Sequence, residues 1–292
     1  MTAPVMTALV PVRPADLSEL ARLMARDAPI RFIAGGTDLL LPGRQLPRDG
    51  VLVDLSAVNG LAGIRTEGDD IEIGGATTVA ALEAHAGLAI RYPALAQAAA
   101  ECGSVQIRSR ATLAGNIANA APAADLVPVL ALAEARLRLI MPGGGRIEVP
   151  LGDFRADGGG LIAAAVLPGE KLLPRSAFVK LGSRRDLTIS RLNMAAMGEF
   201  ADGRFGELRL VAGSLGRRPV RLGRAGAALA GRPLTSAALR DFMQALSKEV
   251  DAAIPQRASR AWKRQAIRGL GLDLIARLCG LSPRDPLFDE AL

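Results

Sequence analysis

Residues 32–39 read Phe32-Ile33-Ala34-Gly35-Gly36-Thr37-Asp38-Leu39, and residues 112–116 read Thr112-Leu113-Ala114-Gly115-Asn116. Both are glycine-centred turns with short hydroxyl or amide side chains beside the glycine. Glycine lacks a Cβ and reaches positive φ freely, so such turns let backbone N–H groups close on a phosphate. Neither turn continues into the Gly-Lys-Ser/Thr of a P-loop, and neither fits G-x-G-x-x-G. Two such turns on one diphosphate point to a dinucleotide held by another fold.

The flanking sequence says how each turn is delivered. Ile30 to Ala34 is a short apolar run entering the first turn, so it reads as a strand. Upstream, an extended Val10-Pro11-Val12 precedes a helix over Asp16 to Arg26, with Leu17, Leu20, Leu23 and Met24 at helical spacing. Gly50 to Leu55 reads as another strand and closes a small β-α-β unit near residue 57. Ile71-Glu72-Ile73 alternates as a strand. Thr77 or Thr78 then caps a helix through His85, and Tyr92 to Cys102 forms an Ala-rich helix. The second turn lies between that helix and Asp125 to Glu134, whose Pro128 must sit in a first turn. Pro142-Gly143-Gly144-Gly145 joins Arg136 to Ile140 with Arg146 to Val149 as a hairpin, and Leu161 to Leu167 is an apolar strand. After Leu173-Pro174 come strands at Ala177 to Leu181, Asn193 to Phe200 and Glu207 to Ala212. Helices follow near Ala227, at Ser236 to Leu246 and at Ser259 to Leu278.

Composition narrows the chemistry. The chain has 292 residues, enough for two compact domains, and is 50% hydrophobic but only 3% aromatic, so its core is aliphatic. Two cysteines, Cys102 and Cys279, and one histidine, His85, exclude an iron–sulfur cluster or a His/Cys metal centre in this chain. They also argue against a Ser-His-Asp triad. Any redox chemistry must come from a bound organic cofactor. The net charge of +7 is scattered and has little aromatic surface beside it, so a solvated basic surface, or one that meets an acidic partner subunit, is favoured over nucleic acid. No apolar run is long enough to cross a bilayer, and Met1 to Leu17 lacks the pattern of a signal peptide. The expected location is cytoplasmic.

Taken together, residues 32–39, then Gln106-Ile107-Arg108 followed by Thr112 to Asn119, then Pro122-Ala123-Ala124-Asp125-Leu126, resemble the FAD-binding subunits of molybdenum hydroxylases. That family includes the flavin subunits of bacterial xanthine dehydrogenases and carbon monoxide dehydrogenases. The likeness continues through Phe178-Val179-Lys180-Leu181-Gly182-Ser183-Arg184-Arg185 and into the C-terminal helices. It implies an α+β chain: a two-subdomain FAD-binding fold of the vanillyl-alcohol-oxidase/PCMH type over 1–173 (subdomains about 1–57 and 58–173), then a smaller α+β domain over 174–292. It implies FAD in this chain, with the molybdenum cofactor on a large partner subunit and [2Fe–2S] clusters on a small one. NAD+ is the expected electron acceptor. A stand-alone flavin oxidoreductase and a flavin-free scaffold subunit are the alternatives.

The resemblance also assigns residues. Ile33, Ala34, Gly35, Gly36, Thr37, Asp38 and Leu39 would embrace the pyrophosphate together with Thr112, Gly115 and Asn116. Asp125 would accept hydrogen bonds from ribityl or ribose hydroxyls, Cys102 and Gly103 would pass close to the cofactor, and Ile162 would pack on the isoalloxazine. Lys180 would lie near the pyrimidine edge, where a cation stabilises a reduced flavin. The loop Ser183 to Leu187 would lie beside the flavin. No acid, base or nucleophile is assigned. Simpler readings stand beside these: Asp125 as a helix N-cap, Lys180 as a surface lysine, Ile162 as a core strand residue, Cys102 as a buried filler, and Arg184-Arg185-Asp186 as a solvated loop. Arg257, Arg260, Lys263, Arg264 and Arg268 surround Trp262 at helical spacing. They read either as a solvated face packed through Trp262 and Ile267 or as a surface for a partner subunit. Ala114 departs from the glycine usual in the family.

Overall fold

The computed structural model describes residues 9–26, 29–44, 49–158, 160–184 and 187–292; Arg185 and Asp186 of the expected loop lie outside them. The chain starts with β1 (Leu9–Val12), α1 (Leu17–Met24), β2 (Ile30–Ile33) and β3 (Gly50–Asp54), forming a three-stranded sheet in the order β1-β3-β2 with both pairings parallel. α1 begins where Asp16 caps it, accepting from the Ser18 and Glu19 N–H groups, and it buries Leu20, Leu23 and Met24. Val53 and Leu55 meet that face, and Ile140 and Leu161 of the next sheet close the cluster.

A five-stranded sheet follows, β4 (Ile64–Glu67), β5 (Asp70–Gly74), β6 (Arg136–Ile140), β7 (Arg146–Pro150) and β8 (Leu161–Leu167), ordered β4-β5-β8-β6-β7. Between β5 and β6 run α2 (Val79–Ala84), α3 (Ala86–Arg91), α4 (Pro93–Ala100), α5 (Val105–Arg108), α6 (Leu113–Ala118) and α7 (Leu126–Leu132). Thr78 caps α2. His85 ends that helix and caps the next, its Nδ1 accepting from the Leu88 N–H at 3.0 Å. Buried Tyr92 donates its hydroxyl to the Val129 carbonyl at 2.7 Å, fixing α4 against α7.

The third sheet is antiparallel, β9 (Arg175–Leu181), β10 (Leu192–Ala201), β11 (Arg204–Gly213) and β12 (Val220–Arg221), ordered β12-β11-β10-β9. Alternation along its strands decides what it packs on. Val179, Met194, Ala196 and Leu210 face a cluster built with α8 (Gly223–Leu229), α9 (Ser236–Ala253), α10 (Arg260–Cys279) and α11 (Pro286–Asp289). Phe178, Ala195, Met197 and Val211 point the other way, into the cluster of α4 and α7. Both faces are buried, so the chain from β9 onward shares a core with the segment before it.

Three expectations need correcting here. The second glycine turn is the start of a helix: Thr112 caps α6, accepting from the Gly115 N–H at 3.2 Å. Trp262 does not anchor its helix, since it is 42% exposed while Ile267 and Lys263 are buried. α9 runs past Leu246 to Ala253, because Ser247 and Val250 continue its buried stripe. The short helix α5 was not foreseen; four residues are too few for a periodic signal.

Candidate functional site

The two glycine segments touch. A Cβ on Gly35 would run into the Arg110 carbonyl, with the Ala111 nitrogen 3.0 Å away, so only glycine lets the backbone after β2 lie against the approach to α6. Gly36 has φ +70° and turns the chain back, and Leu40 N–H closes the turn on the Gly36 carbonyl at 3.0 Å. Among the described residues, the N–H groups of Gly35, Gly36, Thr37, Asp38 and Leu39 donate no hydrogen bond. Five successive free amides form the kind of concavity that binds an anion. Arg44 pairs with Asp38 at 3.0 Å, which leaves the net charge of the turn near neutral.

The second segment is wired differently. Ala114 N–H donates to the Gly75 carbonyl at 2.9 Å, and Gly115 N–H is held by Thr112. Its amides are therefore spent on its own fold. What it offers is Asn116, whose Oδ1 is sealed from solvent with no partner among the described residues. Buried polar atoms are nearly always satisfied, so an orphaned acceptor here is what a bound hydroxyl or N–H would complete. Thr112→Val is expected to lower stability by about 1 kcal/mol through the lost cap, with Thr112→Ser restoring it, as read by urea unfolding.

Gly75 is a site residue that sequence reading missed. Its N–H bonds the Ala163 carbonyl at 2.7 Å, where a register shift opposite Arg138 and Leu139 bulges β8. A Cβ on Gly75 would meet the Ile162 carbonyl and lie 3.0 Å from the Ala114 methyl. The bare glycine is thus what makes room for Ala114. The Gly74-Gly75 pair that follows the Ile71-Glu72-Ile73 strand is the signal that could have found it.

Between the three-stranded and five-stranded sheets these segments enclose a cavity of about 560 Å³. Ala34, Gly115 and Ile162 line it with Gly75, Ala114, Phe32 and Leu61, and its charged lining residues are Arg26, Arg31 and Asp157. Ile162 is both a core strand residue, 4% exposed, and part of this wall. A larger groove of about 850 Å³ touches α6 at Ile117 and contains none of the expected site residues. The smaller cavity is the candidate because, unlike the larger groove, it is lined by Ala34, which leads directly into the free amides.

A second group, at the junction with the third sheet, gathers Asp125, Lys180, Cys102 and Gly103. Asp125 precedes α7 but makes no cap hydrogen bond, which overturns the N-cap reading. Its Oδ2 takes the Lys180 ammonium at 2.7 Å, and its Oδ1 accepts from Ser190 Oγ at 2.6 Å and Asn193 Nδ2 at 3.0 Å. Lys180 is no surface lysine: its side chain is 5% exposed and donates also to the Glu101 carbonyl at 2.7 Å. An ammonium has three donors and a carboxylate about four acceptor positions, so each partner keeps one free. Gly103, at φ +67°, turns the chain beside them. Burial pushes the Cys102 thiol up to about 11, so it stays protonated and behaves as a filler. Ser190 and Asn193 were missed as well: Ser190 lies in the loop before β10, which has no periodicity to read, and Asn193 lies in β10, where a polar side chain at a buried position has no local signature.

Free amides, an orphaned acceptor, an apolar cavity and the Lys180 ammonium held by Asp125 fit a flavin dinucleotide, whose diphosphate, hydroxyls and ring ask for those groups. Comparison with known proteins agrees. Residues 7–165 match the family model described as the FAD binding domain in molybdopterin dehydrogenase, and residues 177–278 match the CO dehydrogenase flavoprotein C-terminal domain. The chain is 30% identical over 274 residues to the xanthine dehydrogenase FAD-binding subunit of Escherichia coli O157:H7, covering 90% of this chain and 94% of that one. It is 29% identical to the nicotinate dehydrogenase FAD-subunit of Eubacterium barkeri, over 87% of this chain and 91% of the relative. Among solved structures, CO dehydrogenase from Oligotropha carboxidovorans superposes with a TM-score of 0.81 at 24% identity, covering 95% of this chain and 100% of the matched chain. Quinoline 2-oxidoreductase from Pseudomonas putida 86 gives 0.82 at 22%, covering 94% and 98%; at such identities these two speak for the fold alone. The protein belongs to the FAD-binding subunits of the molybdenum hydroxylases, a class of dehydrogenases. Within that class it is of the xanthine dehydrogenase and CO dehydrogenase flavoprotein type.

Proposed function

We propose that this chain is the electron-transfer subunit of a xanthine dehydrogenase-like molybdenum hydroxylase, and that its acceptor is NAD+. Its partners are then a large subunit with the molybdenum cofactor and a small subunit with [2Fe–2S] clusters. Bound FAD would supply the exchange between single electrons arriving from the clusters and a hydride leaving to NAD+. The observation that carries the reading is the row of free amides from Gly35 to Leu39, pressed by Gly35 onto Arg110 at the mouth of an apolar cavity.

The chain's own residues have positioning roles. The first turn holds the diphosphate, with Ile33 and Ala34 leading into it, and Asn116 accepts from a hydroxyl or N–H of the cofactor. Asp125 keeps one acceptor position for a ribityl or ribose hydroxyl. Lys180, fixed by Asp125 and Glu101, keeps one N–H for the pyrimidine edge, where it favours negative charge on the reduced ring. Residues 1–173 would act as the FAD-binding part and 174–292 as the part that carries Lys180.

The test is an absorbance spectrum of the purified chain with added FAD and then NADH. Two flavin bands bleached by NADH are expected. Bands that NADH leaves untouched would rule out the nicotinamide acceptor and keep the flavin. A chain that cannot be loaded with FAD would leave a scaffold subunit, and turnover of an organic substrate by the isolated chain would make it a stand-alone oxidoreductase.

A further inference from the structure

Beside the Asp125 group lies an open dish of about 450 Å³, formed where Pro122 and Ala123, Ser190 and Arg191, and Ser214 meet the first turn of α10. Its floor is cationic. Lys263 is 8% exposed and its ammonium reaches only the Ser214 carbonyl. The Arg191 guanidinium stacks 5.9 Å from the Trp262 ring centroid. Among the described residues neither cation has a carboxylate within ion-pair distance, and no acidic side chain lines the dish. The nearby Asp251 is turned to Arg260 and Arg264 instead.

A buried ammonium without a counter-charge is costly, because burial penalises the charged form. That burial, reinforced by Arg257, pulls the Lys263 pKa down. A carboxylate entering the dish would remove the penalty. The rim carries apolar surface: Trp262, the chain's single tryptophan, is 42% exposed, and Ile189, next in the chain to the lining Ser190, is 79% exposed. A free small anion would leave those side chains in water, whereas a protein segment would cover them. Exposed aromatic surface beside arginine is the composition of a binding hot spot. The dish also adjoins the flavin-side pair, since Ser190 lines it and donates to Asp125 at 2.6 Å.

We infer that the dish around Trp262, Arg191 and Lys263 docks a segment of the [2Fe–2S] subunit that presents an Asp or Glu next to an apolar side chain. The electron-donating partner is the occupant because the surface abuts Asp125 and Lys180, where the proposed function puts the flavin ring; the inference rests on that reading. It also accounts for an exposed tryptophan at the foot of a helix whose large aliphatic residues, from Ile267 to Leu278, are buried.

The experiment measures binding of the FAD-loaded chain to the isolated [2Fe–2S] subunit at two salt concentrations. It compares wild type, Trp262→Ala, Arg191→Glu and a remote surface control, Arg146→Glu. Trp262→Ala and Arg191→Glu are expected to weaken binding at least about tenfold with flavin content unchanged. The salt dependence is expected to shrink for Arg191→Glu. Wild-type affinity in both variants, or an equal loss in Arg146→Glu, would overturn the docking surface. So would variants that lose the large subunit but keep the [2Fe–2S] subunit. A wild-type chain that carries FAD but has no affinity for the [2Fe–2S] subunit would overturn the proposed function along with it.

Discussion

Replacing Gly35 by alanine is expected to strip the flavin from the purified chain, lowering the flavin-to-protein absorbance ratio about tenfold or more. The added methyl meets the backbone carbonyl of Arg110, not the end of a flexible side chain, so no rotamer change relieves it. The first turn must lift away from the approach to α6, and its five free amides then lose their common focus. Gly145→Ala is the matched control: nothing lies within 4 Å of its Cβ, and flavin content is expected to stay at the wild-type level. Full flavin retention in Gly35→Ala would show that the free amides of the first turn are not the diphosphate site.

The second large effect is expected at the Asp125–Lys180 pair. Lys180→Met leaves a buried carboxylate with Ser190 and Asn193 as its only donors, and Asp125→Leu leaves a buried ammonium on a single carbonyl. Removing one member of a buried pair costs about 3–5 kcal/mol, because the remaining charge is desolvated without compensation. The double variant is expected to lose less than the sum of the two single losses, by about 0.5–3 kcal/mol. Urea unfolding of the four proteins of the cycle, free of FAD, reads the coupling. Strict additivity would mean that the two side chains do not act as a pair. In the flavin-loaded protein, Lys180→Met is further expected to make the flavin harder to reduce, seen as a more negative midpoint potential, since the cation favours the reduced ring.

Much of the fold was legible in local pattern. The strand leading to Gly35, the helix that starts at Asp16, the hairpin around Gly143 and three of the four strands of the third sheet follow from periodicity and turn chemistry, whereas the two-residue β12 is too short for a pattern. The family resemblance named the residues of the site but not how each is used. Thr112 and Gly115 were expected to turn their groups outward, yet they satisfy one another within α6. Trp262 looked like an anchor because its helix is amphipathic in part, and only the packing of β10 and α9 on α10 shows which face is buried.

What the sequence by itself determined is the set of local conformations: where glycine permits a positive φ or a close approach, where a hydroxyl caps a helix, and where apolar residues recur at a fixed period. It also determined the poverty in histidine and cysteine, and so the need for a borrowed redox group. Only the tertiary structure decided that Gly35 rests on Arg110, that Gly75 clears space for Ala114, and that Asp125 spends its charge on Lys180 rather than on a helix end. The partners in those contacts lie as far apart in the chain as residues 35 and 110. Their meeting depends on how sheets and helices bury their faces together, a non-local property that no short window of sequence contains.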